Sequence, residues 1–479
     1  MGQHRFRLPN FWDLERRQVS CIHVVGLDGI PWPCRVDVTD GILTISRSRN
    51  ESGKVHIPYP FLERGELAVC TGTLPESEKA YDLMTELARG TLNRLRNQLS
   101  IWQEGGLNIP DSLKELIEHS IHDLSASIVS DDLATKDNMA RTSIETALEC
   151  IFQLSVTFGE QISAYRVSQK EISPFWLAAN IGSRGSAEVV DQSQQFDLLE
   201  IKDWQSKEKL ENGFFGTNKK LILGPLLDAS AGAPTWSGDP SDEFENRKRR
   251  ILQKCREQLT DLPANTALVH AVSGLNGIGH RHLSFPQQQQ LTNELFQVIE
   301  EMSIDVPIVA SFDFPWAERL AWSVGGMHPL QVADSLLRKA LPVSFIGLDI
   351  NLDYWPAGSV VRDPLQWIDL VDVWAQLGLP LMIFLRTPLL SDLGDTGQVE
   401  EKSVNVVRGG MSNGQRLDLV RVVLMMLTAR PNVHGCIFRQ WSDKDDLRFP
   451  GAGLVTADCD SKIILEELDR YHREVLHRN

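Results

Sequence analysis

The chain has 479 residues, of which 42% are hydrophobic and 23% charged, and its formal net charge is −16. This length favours two or three domains with a large buried core. The acidic balance argues against nucleic acid and against an anionic membrane surface as partners, because both require a basic face. A neutral ligand such as an oligosaccharide or polysaccharide is compatible with this charge.

The cysteines and the N-terminus indicate a protein of a reducing compartment. The seven cysteines are scattered, odd in number and lack CxxC spacing, which is typical of free buried thiols. The first residues, MGQHRFRLPNFWDLERR, lack the apolar core of a signal peptide, and no apolar run is long enough to span a bilayer. We therefore expect a cytoplasmic protein, and we expect neither a cofactor nor a metal site.

The N-terminal part of the chain shows the alternation of β-strands. Strand-like runs are VSCIHVV and ELAVCTG, and two alternating runs joined by Asp40-Gly41 make up CRVDVTDGILTISR. Asp-Gly between alternating runs is a strong hairpin signal. These patterns predict a small all-β, sandwich-like domain over residues 1–75, with a role in packing, docking or carbohydrate binding.

The hydrophobic period changes to that of helices between residues 76 and 170. Apolar residues recur at three-four spacing in three long stripes, which begin at Leu87, Leu113 and Ile144. The outer faces of these stripes are polar, so we predict a helical hairpin or bundle. Together with the β region, it offers surfaces for a protein partner or for self-association.

Short apolar runs alternate with helical stretches over residues 171–479. Eight runs have the character of strands: FWLAANIG, FDLLEI, KLILGPLLD, TALVHAVSG, VPIVASFD, SFIGLDINL, LPLMIFL and VHGCIFRQW. Eight βα units over roughly 300 residues are the signature of a (β/α)8 TIM barrel. Only about 20 residues separate Glu200 from Lys220, so the second helix is expected to be short or missing.

Polar and aromatic residues follow the predicted strands, where a barrel of this kind places its site. The candidate carboxylates for chemistry are Glu200, Asp228, Asp313 and Asp349. Acidic and amide groups among tryptophans are typical of a sugar cleft, in which flat rings stack on sugar faces. Alternatively, the polar groups belong to solvated loops and the tryptophans pack beneath their own loops. The candidate ligand contacts are Trp236, Trp316, Asn351, Asp353, Trp355, Arg386, Arg439, Gln440, Trp441 and Asp443.

Several barrel segments resemble glycoside hydrolase family 10, the endo-β-1,4-xylanases. The resemblance covers residues 172–476, and its last segment is VHGCIFRQWSDKDDLRFPGAGLVTADCDSKIILEEL. Other segments that match in order include LILGPLLDASAGAPTW and FIGLDINLDYWPAG. Membership would imply a barrel and a retaining mechanism, in which two glutamates about 5 Å apart act as acid/base and nucleophile.

The chain departs from the family pattern at both positions that the mechanism needs. Gly274 stands where the family has its acid/base, and Leu385 stands where it has its nucleophile. Asn351 matches the family's supporting histidine on the sixth strand. Neither glycine nor leucine can donate a proton or attack carbon, so the scaffold is predicted without its catalytic glutamates.

Three functions remain open on the sequence. The first is a non-hydrolytic pseudoenzyme that binds a glycan or serves as a scaffold. The second is a hydrolase of a β-linked polysaccharide or oligosaccharide with relocated carboxylates, Asp313 and Asp349, which end adjacent strands, and with Asp228 or Glu200 as a further acid. The third is a structural or assembly protein that uses the N-terminal regions for contacts.

Overall fold

The protein is an α/β chain in which a closed parallel barrel follows a β-rich region and a helical segment. The fold is taken from a computed structural model. It describes residues 2–61, 64–169, 171, 174–183, 189, 191–202, 204, 219–229, 242–276, 283–322, 326–389 and 411–476.

Two small sheets make up the N-terminal β region. The first has the order β3-β4-β1-β7 and the second has the order β2-β5-β6. The predicted hairpin at Asp40-Gly41 is present, and both residues have positive φ (51° and 73°), as a two-residue turn of this kind requires. The strand bounds are β1 Gly2–Arg7, β2 His23–Gly26, β3 Cys34–Thr39, β4 Ile42–Arg47, β5 Gly53–Phe61, β6 Gly65–Cys70 and β7 Tyr81–Asp82.

The prediction of one strand over VSCIHVV is wrong in its first half. Residues Arg16–Cys21 form a short helix, α1, and the strand begins at His23. A capping box stabilises the start of α1, because Glu15 and the side chain of Gln18 satisfy each other's backbone N–H groups. A further strand that the sequence patterns did not predict, β1, pairs antiparallel with β4 along its whole length.

Three long helices follow, as the apolar stripes predict. They are α2 Leu83–Glu104, α3 Asp111–Val129 and α4 Leu133–Gln169. Their apolar stripes are buried against one another, and the far end of α4 reaches the barrel, where Arg166 donates a hydrogen bond to the carbonyl of Ala429.

All eight predicted barrel strands are present, and every neighbouring pair among them is parallel. The ring closes because β10 pairs with both β9 and β12, while the two-residue β11 extends the third strand beside β12. The strands are β8 Trp176–Gly182, β9 Leu198–Ile201, β10 Lys220–Leu223, β11 Leu227–Asp228, β12 Thr266–Leu275, β13 Ile308–Asp313, β14 Phe345–Asn351, β15 Leu381–Arg386 and β16 Val433–Phe438.

Helices surround the barrel after the third and later strands. The stretch expected to lack a full second helix, residues 205–218, lies outside the described residues. Several helix starts carry the expected signals, such as Ser284 in a capping box and Asp363 before Pro364. The helices are α5 Phe244–Thr260, α6 Phe285–Glu301, α7 Pro329–Arg338, α8 Pro364–Ala375, α9 Asn413–Thr428 and α10 Ile463–Tyr471, with a 3-10 turn at Glu318–Ala321.

The N-terminal regions are joined to the barrel by buried polar contacts. The backbone of Ala68 in β6 donates a hydrogen bond to the carbonyl of Val361, and Gln366 of α8 donates its amide to the carbonyl of Ala68. Arg94 of α2 forms an ion pair with Asp363, the N-cap of α8, whose side chain is fully buried. Buried polar groups require partners of this kind, so the N-terminal regions and the barrel form a specific interface.

Two further features concern the cysteines and the helices. All seven cysteines are free thiols. Within the described part of the chain, no helix combines the length and apolar character needed to cross a membrane.

Candidate functional site

The C-terminal ends of the barrel strands bring the predicted carboxylates to one place, which we call the mouth. Asp313 and Asp349 are directly opposite each other in the register of β13 and β14, and Asn351 is opposite Arg386 in the register of β14 and β15. Residues opposite each other on parallel strands lie about 4.8 Å apart. The prediction that Asp313 and Asp349 end adjacent strands is therefore confirmed.

Asp349 is surrounded by four donors, which come from β12, from β13 and from the end of β16. Its Oδ1 accepts a hydrogen bond from Arg439 Nη1 at 2.7 Å. Its Oδ2 accepts from the hydroxyl of Ser311, from the hydroxyl of Ser273 at 3.4 Å and from the backbone N–H of Gly274 at 3.0 Å. The side chain is 5% exposed, so both oxygens are bonded to the protein and not to solvent.

A second buried acid, Glu200, sits deeper in the barrel beside His270. The distance from Glu200 Oε1 to His270 Nδ1 is 2.6 Å, and Asn180 donates to the other oxygen. Burial alone would raise the pKa of Glu200, but the hydrogen bond and charge of His270 outweigh it and lower that pKa to about 2. The other nitrogen of His270 lies 3.0 Å from Ser311 Oγ.

A continuous set of polar contacts links the two buried acids. Ser311 gives its hydroxyl proton to the carboxylate of Asp349, so its oxygen must accept from His270 Nε2. Both ring nitrogens of His270 are thus held by partners, and polar contacts run from Glu200 through His270 and Ser311 to Asp349 and Arg439.

Asp313 differs from both of these acids because it lacks a cation at ion-pair distance among the described residues. Its carboxylate accepts from the backbone N–H of Phe314 at 3.0 Å and from the amide of Asn351 at 3.4 Å. Burial and the nearby charge of Asp349 raise the pKa of Asp313 to about 7. Asp313 can therefore exchange a proton near neutral pH.

Arg386 is held beside Asn351 at the end of β15. Its Nη1 donates to Asn351 Oδ1 at 3.0 Å, and its guanidinium lies over the ring of Phe449, 4.5 Å from the centroid. The closest carboxylate oxygen is that of Asp446, at 3.8 Å from Nη2. Burial and the charge of Arg439 lower the pKa of Arg386 to about 10.

The tryptophans proposed as stacking platforms are packed against other parts of the protein. Trp441 is 1% exposed and meets Phe196 edge-on. Trp355 is 7% exposed and donates its indole N–H to Ser20 Oγ at 3.1 Å, against the N-terminal region. Trp316 donates to a carbonyl of α8 and lies under the guanidinium of Arg362, while Trp236 lies outside the described residues.

The remaining candidates fall into separate local arrangements. Asp353 pairs with Arg416, and burial raises its pKa to about 6 in spite of that cation. Asp443 pairs with Lys462 at 2.8 Å. Gln440 is buried and donates to the carbonyl of Ser442, and Asp228 is half-buried at the end of β11.

The two positions that depart from the family pattern have structural uses. Gly274 has φ 67°, a conformation that favours glycine, and it turns its N–H toward Asp349. Leu385 is 2% exposed and is part of the apolar core.

Sequence reasoning missed the interior partners that connect these acids. Asn180, His270 and Ser311 all lie within mostly apolar strands and are buried. The signal in the sequence is a polar residue inside an apolar strand, since such a residue must find a partner across the barrel. Among the described residues, no group of three or more His, Cys, Asp or Glu side chains is arranged to hold a metal ion.

Comparisons with known proteins find similarity to solved structures of low identity. No family model and no curated protein matches the chain. A family 10 glycoside hydrolase structure from Paenibacillus barcinonensis is 15% identical, with a TM-score of 0.46, over 64% of this chain and 97% of that one. Xylanase B from Clostridium stercorarium F9 is 13% identical, with a TM-score of 0.45, over 61% of this chain and 96% of that one. Xylanase 10B from Thermotoga maritima is 11% identical, with a TM-score of 0.45, over 67% of this chain and 98% of that one.

Proposed function

We propose that the chain is a non-hydrolytic barrel that binds a glycan at its mouth. The main support for this proposal is that both carboxylate oxygens of Asp349 are already occupied within the protein. They accept four hydrogen bonds, from Arg439, Ser311, Ser273 and Gly274. Glycoside hydrolysis requires two carboxyl groups that can reach the anomeric carbon and the leaving oxygen. A carboxylate in so many internal bonds is a structural anion and a poor nucleophile.

The groups that remain at the mouth suit recognition of hydroxyls. Asp313, Asn351 and Arg386 lie at the ends of three consecutive strands and present a carboxyl, an amide and a guanidinium. Such groups fix the orientation of a sugar through directional hydrogen bonds. The resemblance of the strand sequences to family 10 supports a glycan as the ligand, while Gly274 and Leu385 support binding without cleavage.

A paired binding and hydrolysis experiment tests this function. The full chain is titrated calorimetrically with xylo- and cello-oligosaccharides, and the same mixtures are assayed for reducing ends. We expect binding without turnover, and we expect Asn351→Ala to weaken binding at least tenfold. The matched control is Asn293→Ala on α6, away from the mouth. A parent protein that binds no glycan on a broad array would refute the proposal and leave the scaffold function.

A second candidate, hydrolysis with relocated carboxylates, is favoured by one specific observation. The pKa of Asp313 is raised to about 7 beside Asp349, which stays paired with Arg439. Two carboxyls with opposite protonation are what acid catalysis uses. Turnover that is abolished both by Asp313→Asn and by Asp349→Asn would establish this function in place of the first.

A further inference from the structure

Among the described residues, one edge of the Arg386 guanidinium at the mouth is buried without a hydrogen-bond partner. Nη1 is taken by Asn351, whereas Nε and Nη2 share the opposite edge. Within the part of the chain that the structure describes, Nε has no hydrogen-bond partner, and the nearest carboxylate to Nη2 is Asp446 at 3.8 Å. That distance is too long for a hydrogen bond. Among the described residues, the two N–H groups that normally grip a carboxylate therefore have no close partner.

Asp446 does not close this edge because it is committed to another cation. Its two oxygens accept from Arg448 Nε at 2.9 Å and Nη2 at 2.7 Å. Arg439, the other guanidinium nearby, is in turn committed to Asp349. Arg386 is thus a cation with a side chain only 10% exposed and without a close counter-ion among the described residues. A buried charge in that condition is costly unless an anion joins it.

We propose that this edge of Arg386 binds a carboxylate of the ligand, so that the glycan is acidic and carries a uronate residue. This inference rests on the proposed glycan function and names the class of sugar. Arg386 would donate Nε–H and Nη2–H to the two carboxylate oxygens. Asn351 would hold the guanidinium in place through Nη1, and the ring of Phe449 would support its face.

The surrounding charges favour a carboxylate over a phosphate. Asp349 lies on the neighbouring strand β14 and Asp313 on the next strand, β13, and these carboxyl groups disfavour a dianion more strongly than a monoanion. A planar carboxylate also matches the two parallel N–H bonds of the fork. Inorganic phosphate is therefore a probe that should bind more weakly than a uronate.

The test compares acidic and neutral sugars of the same ring. Glucuronate, glucose, galacturonate, galactose and inorganic phosphate are titrated against the full chain by calorimetry. We expect the uronates to bind at least tenfold more tightly than their neutral counterparts. Arg386→Gln should remove that difference, and Arg386→Lys should remove most of it, since a point charge lacks the fork. Arg473→Gln on the exposed C-terminal turn is the control that should change nothing.

A second variant keeps the inference testable if Arg386→Gln fails to fold. Asp446→Asn removes the competing acid, and it should tighten uronate binding severalfold, which a purely structural role for Arg386 does not predict. Equal binding of uronates and neutral sugars by the parent would overturn the inference and leave the glycan function standing. Uronate binding that survives Arg386→Gln unchanged would also overturn it. Binding of uronates without any binding of neutral oligosaccharides would support the inference and reject the neutral-glycan form of the proposed function.

Discussion

Two regions bury ionisable groups but neutralise them differently. One is the mouth of the barrel, and the other is a seam where residues that follow β13 and β14 meet the N-terminal β region. The seam is the junction formed by Cys21, His23, His56, Glu318 and Arg362. At the mouth, Asp349 receives four hydrogen bonds. At the seam, Glu318 is 1% exposed, and both its oxygens lack a hydrogen-bond partner among the described residues.

At the seam, two neutral histidine rings lie beside an arginine and a glutamate that are too far apart for a hydrogen bond. His23 and His56 are stacked, with ring centroids 4.9 Å apart and planes at 10°. Burial lowers the pKa of His23 to about 3 and lowers the pKa of His56 well below its usual value. Arg362 lies 3.8 Å from Glu318, and a cavity of about 10 Å³, enough for one water, lies among them. Close hydrogen-bonded pairing thus neutralises charge at the mouth, whereas the seam keeps its two histidine rings uncharged and holds Glu318 and Arg362 farther apart.

The largest expected effect comes from breaking the pairing at the mouth. Arg439→Met leaves the Asp349 carboxylate buried without its cation, which costs about 3–5 kcal/mol of unfolding free energy. Urea denaturation at pH 7 measures the loss. Arg338→Ala, which breaks an exposed pair with Asp334 on α7, should change the stability very little, because solvent screens such pairs. Similar costs for the two variants would mean that the mouth network contributes no special stability.

The seam should respond next most strongly to loss of packing. Trp355→Ala removes a ring whose centroid lies 4.3 Å from that of Trp322 and whose indole N–H donates a hydrogen bond to Ser20. We expect about 3 kcal/mol of destabilisation, in the range for large buried aromatics. Calorimetric melting measures this effect, and glycan affinity should stay the same. Weaker glycan binding with an unchanged melting temperature would instead make Trp355 a stacking platform.

Ionisation of Asp313 should lower the free energy of unfolding as pH rises. Its pKa is about 7 in the folded chain and about 3.8 when exposed, so the folded state holds more protons than the unfolded state between these values. Stability is full below about pH 4 and falls as pH rises toward 7. Asp313→Asn should remove this loss and be more stable than the parent at pH 8, by up to about 4 kcal/mol for a shift of this size. No gain at pH 8 would show that Asp313 ionises without penalty.

His23 should give the seam the opposite pH dependence, with a smaller effect. Its folded pKa of about 3 lies below the unfolded value of 6.5, so the unfolded state binds the proton first. Stability is full above pH 6.5 and falls as pH drops toward 3. At pH 5 the loss is about 2 kcal/mol. In denaturation at pH 7 and pH 5, His23→Gln should lose about 2 kcal/mol less than the parent over that interval, and an equal loss would contradict the expectation.

The sequence by itself determined the elements that depend on local pattern. The eight apolar runs predicted the eight barrel strands, Asp40-Gly41 predicted its hairpin, and three apolar stripes predicted α2 to α4. These features follow from side-chain periodicity and turn chemistry, which act over a few residues. The α1 helix escaped this reasoning because Glu15 and Gln18 cap a segment whose apolar residues also suit a strand.

Only the tertiary structure decided which polar groups meet. Glu200 and His270 are 70 residues apart in the chain, and Asp349 and Arg439 are 90 apart. Closure of the barrel brings each pair together, and no local pattern encodes that distance. The same closure satisfies Asp349 and leaves one edge of Arg386 without a partner among the described residues, because hydrogen-bond partners are assigned by geometry across strands and not by order along them.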